Sequence, residues 1–160
     1  MELDKLDGKR QEQESHARGS SPEGRVALGA AGGLGKAIAT ELRERGADVH
    51  GVDIVSEGVF HADLSTASGN RDVVAYVLAT APDILVLNPG CQFIATLDQF
   101  PDAEWNCLRS VMLDGPFFAL KAAWPALTKS SGACVVVTAS PVSYGGRARR
   151  LRTVPRSGPR

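Results

Sequence analysis

Residues 28–35 read L-G-A-A-G-G-L-G, placing glycines at 29, 33 and 35 in a G-x-x-x-G-x-G spacing. A pyrophosphate reaches backbone N–H groups at a helix N-terminus only where side chains stay out of its way. A loop of this composition is a dinucleotide cradle or simply a tight strand-to-helix turn. Its context favours the cradle, because the apolar run Val26-Ala27-Leu28 precedes it and a helical pattern over 36–45 follows. Asp53 stands 24 residues after Gly29, at the end of the next apolar run. A carboxylate there can accept hydrogen bonds from both adenine-ribose hydroxyls and would repel a 2′-phosphate. The loop holds no Arg or Lys to welcome such a phosphate, so the pattern favours NAD over NADP. The alternative is a surface aspartate that merely ends a strand.

Holding these groups together requires strands and helices in alternation. Ile38, Ala39 and Leu42 recur at helical spacing, and Gly46 stands where a glycine ends a helix. Val49, Gly51 and Val52 predict a second strand ending at Asp53, and Val59-Phe60 a short third one. A helix is expected over 72–80, with Val73, Val74, Val77 and Leu78 on its buried side. Pro82 and Asp83 break the chain before the fully apolar strand 84–87. A long helix is expected over 105–127, with Leu108, Met112, Phe118 and Ala122 apolar and Pro125 in its last turn. A fifth strand covers 133–137. Short runs that are apolar throughout suit parallel strands buried on both faces. Right-handed crossovers then give an α/β doubly wound parallel sheet ordered 3-2-1-4-5, Rossmann-like, in three αβα layers.

The chain has 160 residues, 43% hydrophobic and 22% charged, which fits one ordinary globular domain. Collagen-like or wholly disordered chains are excluded. No apolar run approaches the ~20 residues of a membrane helix, and no apolar stretch follows Met1. Neither a membrane span nor a secretory signal is expected. Cys91, Cys107 and Cys134 are odd in number and widely spaced, which argues against a disulfide framework or zinc site and fits a reducing cytoplasm. Residues 1–24 are polar and read as a disordered arm, with Gly19-Ser20-Ser21-Pro22 as linker. The net charge of zero hides an asymmetry. Arg147, Arg149, Arg150, Arg152, Arg156 and Arg160 fall in the last 14 positions without an acid. Removing those six from the 18 basic residues leaves 12 against 18 acidic ones. An acidic body argues against nucleic acid as the main partner.

From 25 to about 146 the chain resembles the short-chain dehydrogenase/reductases. The family's T-G-x-x-x-G-x-G appears as Leu28 through Gly29, Gly33, Leu34 and Gly35, with Leu28 in place of Thr. The adenine-contacting Asp that follows the third strand matches Asp63, with Leu64 next to it. The N-N-A-G motif appears, degraded, as Leu87-Asn88-Pro89-Gly90, so Asn88 and Gly90 are expected to shape the cofactor pocket. The likeness is nearest to the 3-hydroxybutyrate dehydrogenase branch, through Asn88-Pro89-Gly90-Cys91-Gln92, Gln99-Phe100-Pro101 and Trp105. Gln92 then matches a glutamine that contacts the substrate carboxylate, or is a polar loop residue. A His common in that branch two residues past the catalytic Ser is here Val142. The resemblance implies hydride transfer between NAD and a small alcohol or ketone, with homo-oligomeric relatives. Its catalytic set is Asn, Ser, Tyr and Lys. Ser140 matches the serine, whereas Met112 occupies the Asn position and reads as core packing.

The family's Y-x-x-x-K pair would begin 13 residues after Ser140, at Thr153, with Ser157 in the lysine's place. Neither can act as acid–base catalyst. Back-translation offers a reason. With T ending the Arg152 codon, then ACG-GTG-CCT-CGA-AGx, a frame one base earlier spells Tyr-Gly-Ala-Ser-Lys at that same position. Residues 147–160 thus read as the product of a frameshift, in a domain truncated after its fifth strand; a genuine basic tail is the alternative. Such a truncation predicts an exposed apolar edge at 133–137 and marginal stability.

Overall fold

The computed structural model describes residues 25–55 and 58–140. The elements are β1 (Arg25–Leu28), α1 (Gly33–Glu44), β2 (Val49–Asp53), β3 (Phe60–His61), α2 (Ala67–Thr80) and β4 (Ile84–Leu87). A 3-10 turn (Leu97–Gln99), α3 (Asp102–Arg109), a π-helical segment (Ser110–Asp114), α4 (Gly115–Leu127) and β5 (Cys134–Val137) complete them. All strand pairs are parallel, in the order β3-β2-β1-β4-β5. This is the doubly wound order expected from the sequence. Leu28 lies beside both Val52 and Leu87, and Leu87 beside Val137. Four strands therefore end at one level, and the loops after them share one rim.

Successive residues of a strand face opposite ways, so β2 and β4 each feed two cores. Leu28, Val52, Leu85 and Leu87 pack with Val73 and Val77 of α2 and with Ala119, Ala123 and Leu127 of α4. Ala30, Val49 and Val86 pack with Ala39 of α1 on the other face. The result is the three-layer arrangement. Gly115, Ala119 and Ala123 repeat every four residues along α4, a stripe of small side chains that lets the helix approach closely.

Local signals set the helix ends. Gly46, at φ +85°, donates to the Arg43 carbonyl at 2.9 Å, and Ala47 donates to Leu42 at 3.0 Å. These two bonds form a Schellman motif and terminate α1. The Thr66 hydroxyl accepts from the Gly69 N–H at 3.0 Å and caps α2. That cap starts the helix at Ala67, five residues before the apolar pattern does.

Four expectations need correction. Leu78 is 57% exposed, not buried; α4 covers only the stripe carrying Val73 and Val77. Met112 is 48% exposed and is not core packing. It sits in the π-helical segment, whose wider turn rotates it out of the helix's apolar register. The single helix over 105–127 is instead three continuous segments beginning at Asp102. The third strand is Phe60–His61, one residue later than Val59-Phe60, because its pairing runs Val52 to Phe60 and Asp53 to His61. The sequence arm 1–24 and the segment 141–160 lie outside the described residues. Val135, Val136 and Val137 are 38%, 45% and 63% exposed, and β5 is an outer strand of the sheet among the described residues.

Candidate functional site

The sharp turn after β1 is built around Gly29, at φ +70°. The Gly29 and Ala30 N–H groups both donate to the Val52 carbonyl, at 2.8 and 3.2 Å. Ala31 donates its N–H to Asp53 Oδ2 at 2.9 Å, and Val55 donates to Oδ1 at 3.2 Å. The acid at the end of β2 therefore ties down the glycine loop and still faces the rim. Across the sheet, Asn88 Nδ2 donates to the Gly29 carbonyl at 3.2 Å. The Thr138 hydroxyl donates to Asn88 Oδ1 at 2.8 Å. One side chain thus bridges the loops after β1 and β5 at the point where strand order reverses, which is where open α/β sheets bind ligands. Sequence reading missed Thr138. Its signal was a polar residue directly after the β5 run, one step beyond the level at which Leu87 and Val137 pair.

The glycines divide into two kinds. A Cβ on Gly29 would lie 2.7 Å from the Asn88 carbonyl oxygen, and one on Gly35 would overlap the Gly29 carbonyl. These two are needed for the loop to close. A Cβ on Gly32, Gly33 or Gly90 would meet nothing within 4 Å. The space at Gly32 and Gly33 lies at the N-terminus of α1, where Gly32 offers no capping side chain and the first turn holds no acid. Uncapped N–H groups and the positive end of the helix dipole suit a pyrophosphate. The glycine loop therefore fits a dinucleotide. Leu34, in the same first turn, is exposed.

At the far side of the rim, Asp63 follows β3. Its Oδ1 accepts from the Ser65 N–H at 2.9 Å, and its carbonyl accepts from the Thr66 hydroxyl at 2.9 Å. Leu64 is buried among the α2 and α4 side chains, so only its backbone can face a ligand. Gln92 and Ser140 are exposed on the loops after β4 and β5. Among the described residues, Gln92 takes no part in the Gly29–Asp53–Asn88 bonding. Burial pushes the Cys91 thiol, next to Gly90, above its usual pKa, helped by the neighbouring Cys107 thiol and by Glu104. Among the described residues no helix is long and apolar enough to cross a membrane.

The sequence profile described as short chain dehydrogenase matches residues 26–150. The chain belongs to that family. Among the relatives of this chain is YxjF, an uncharacterized oxidoreductase of Bacillus subtilis. It is 31% identical over 133 residues, which cover 72% of this chain and 52% of the relative. A D-beta-hydroxybutyrate dehydrogenase of Rhizobium meliloti is 28% identical over 135 residues, with coverage of 72% and 52%. The crystal structure of a short-chain dehydrogenase/reductase (glucose/ribitol dehydrogenase) from Brucella melitensis superposes with a TM-score of 0.69 at 29% identity. That match covers 79% of this chain and 60% of the other. The chain spans about half the length of the curated relatives it matches. It is an α/β protein of Rossmann type, and its family is that of the short-chain dehydrogenases.

Proposed function

We propose that the fold serves hydride transfer between NAD(H) and a small hydroxy or keto substrate such as 3-hydroxybutyrate, in the cytoplasm. The observation that carries this reading is the bond from the Ala31 N–H to the Asp53 carboxylate at 2.9 Å. It holds a negative charge beside the open glycine cradle, where it would take ribose hydroxyls and oppose the 2′-phosphate of NADP. Gly29, Gly33, Leu34 and Gly35 would flank the pyrophosphate, Asp63 and Leu64 the adenine, and Asn88 and Gly90 the rest of the cofactor. Bound NAD supplies the hydride acceptor. Ser140 would hold the substrate oxygen through its hydroxyl, and Gln92 would meet the substrate carboxylate.

Thr153 and Ser157 cannot supply a tyrosinate or an ammonium, and Met112 offers no polar side chain. The chain as written is therefore an enzyme scaffold close to inactive, and a non-catalytic NAD-binding module that pairs with full-length, homo-oligomeric relatives is the second reading. Neither reading involves nucleic acid or a membrane. NADH and NADPH fluorescence titrations test the proposal, followed by an NAD-dependent 3-hydroxybutyrate oxidation assay. Tighter binding of NADH without turnover is expected. Absence of NADH binding overturns the cofactor reading, and steady turnover overturns the inactivity. Resequencing the coding DNA from the Ser140 codon onward tests the frameshift, since a restored base upstream of position 153 would return the Tyr-Lys pair.

A further inference from the structure

Asn70 is a buried polar side chain, 7% exposed, in the first turns of α2. Its Nδ2 lies 2.9 Å from the Leu64 carbonyl, 2.9 Å from the Thr66 carbonyl and 3.1 Å from the Ser110 hydroxyl. The Ser110 hydroxyl donates to that same Leu64 carbonyl at 2.6 Å. One backbone oxygen thus receives donors from two helices. Asn70 Oδ1 is buried with no partner among the described residues. A Cβ on Gly115 would come within 2.9 Å of it. An amide that leaves its oxygen unpaired loses stability. A plain core residue would avoid that loss, so the amide is retained for what its nitrogen holds.

The Leu64 carbonyl belongs to the Leu64–Ser65 peptide, whose N–H donates to Asp63 Oδ1 at 2.9 Å. The preceding peptide is fixed too, because the Asp63 carbonyl accepts from both the N–H and the hydroxyl of Thr66, at 3.1 and 2.9 Å. In a trans peptide the N–H points opposite to the carbonyl. With the Asp63 carbonyl held against Thr66, the Leu64 N–H is turned away from α2. Asn70 and Ser110 thus hold the peptide whose N–H anchors the Asp63 carboxylate, and the remaining acceptor positions of that carboxylate suit the amino group of adenine.

We propose that Asn70 and Ser110 are positioning residues for the adenine end of the cofactor pocket, acting through the Leu64 carbonyl. This rests on the dinucleotide reading of the site. It extends that reading to two residues that no loop motif includes and that lie 40 positions apart.

The test uses the full chain and its Ser110→Ala, Ser110→Thr and Asn70→Ala variants. AMP and NADH affinities are measured by calorimetry, and contacts to NAD by saturation-transfer NMR. Ser110→Ala is expected to weaken AMP about tenfold, the effect of losing one hydrogen bond that holds the Leu64–Ser65 peptide. The adenine H2 and H8 signals should fall at least twofold relative to the nicotinamide protons, and Ser110→Thr should restore both. A purely structural role would lower the melting temperature without changing that proton ratio. If Asn70→Ala fails to fold, the serine pair decides alone. Unchanged AMP affinity and proton ratio in a cooperatively folded Ser110→Ala overturn the inference while the dinucleotide reading stands. Failure of the unmodified chain to bind AMP or NADH overturns both.

Discussion

Gly33→Ala and Gly35→Ala place the same methyl group two positions apart in the first turn of α1, with opposite expected outcomes. Alanine in place of a helical glycine ordinarily gains up to about 1 kcal/mol. At Gly33 the new Cβ meets nothing within 4 Å, so the fold should keep that gain or part of it. The melting temperature should then hold or rise by about 3–5 °C. At Gly35 the Cβ would overlap the Gly29 carbonyl oxygen and stand 2.8 Å from its carbon and 3.1 Å from Ala30 Cα. All three neighbours are backbone. They cannot swing aside, because Gly29 is bonded to Val52 on one side and Asn88 on the other. Overpacking of this kind costs about 1–3 kcal/mol, and a stretched Gly29 bond adds about 1 more. Set against the gain of up to about 1 kcal/mol, the expected net loss is about 1–3 kcal/mol, or roughly 4–12 °C. Binding should reverse the ranking. The Gly33 methyl would stand in the open cradle and weaken NADH by about tenfold or more, each tenfold being about 1.4 kcal/mol. Thermal melts by circular dichroism read the first effect and NADH fluorescence the second. A Gly35→Ala chain that melts with or above the unmodified protein would refute the steric argument. A Gly33→Ala chain that binds NADH undiminished would refute the cradle.

Three further outcomes follow from the geometry. Asp53→Asn keeps the oxygen that accepts from Ala31 but removes the charge, so NADPH affinity should rise toward that of NADH while the fold survives; an unchanged NADH-to-NADPH ratio in fluorescence titrations would count against Asp53 as the discriminating residue. Val137, 63% exposed on the β5 edge, should tolerate Lys, with slower aggregation by light scattering and little change in a transition expected below about 60 °C; equal aggregation would place the sticky surface elsewhere. The Tyr76 pKa is raised, first by burial and then by the Asp48 carboxylate, so above pH ~10 the unfolded chain loses this proton before the folded one and stability falls as pH rises; Tyr76→Phe should flatten that decline in urea titrations at pH 9–11.

The glycine spacing, the apolar runs and the turn residues were enough to place all five strands and their order, because each of those signals is local or follows from crossover handedness. What the sequence hid is long-range. The π-helical turn at Ser110–Asp114 leaves no mark on a 3.6-residue pattern, and it is the reason Met112 and Leu113 face solvent. Leu78 looks buried by periodicity, yet α4 covers only the stripe of α2 that contains Val73 and Val77. Asn70 stands before the helix expected over 72–80 and in no motif, and only tertiary folding brings Ser110 to it. Thr138 was invisible for the same reason, since its partner Asn88 lies 50 residues away.

The bonds that shape the glycine loop bear on whether cofactor binding and catalysis can be separated. Gly29, Ala30 and Ala31 are held from β2 through Val52 and Asp53, and Gly29 is held from β4 through Asn88. From the end of β5, Thr138 acts on Asn88 rather than on the loop itself. The central strands β2, β1 and β4 therefore shape the cradle. The family's acid–base pair would lie beyond Ser140, outside that bonded set. A chain that keeps 25–140 and loses the pair should consequently retain affinity while losing turnover. If NADH binding also failed in a chain that melts cooperatively, the cradle would depend on structure after β5 that these hydrogen bonds do not reveal, and the separation argued from them would be wrong.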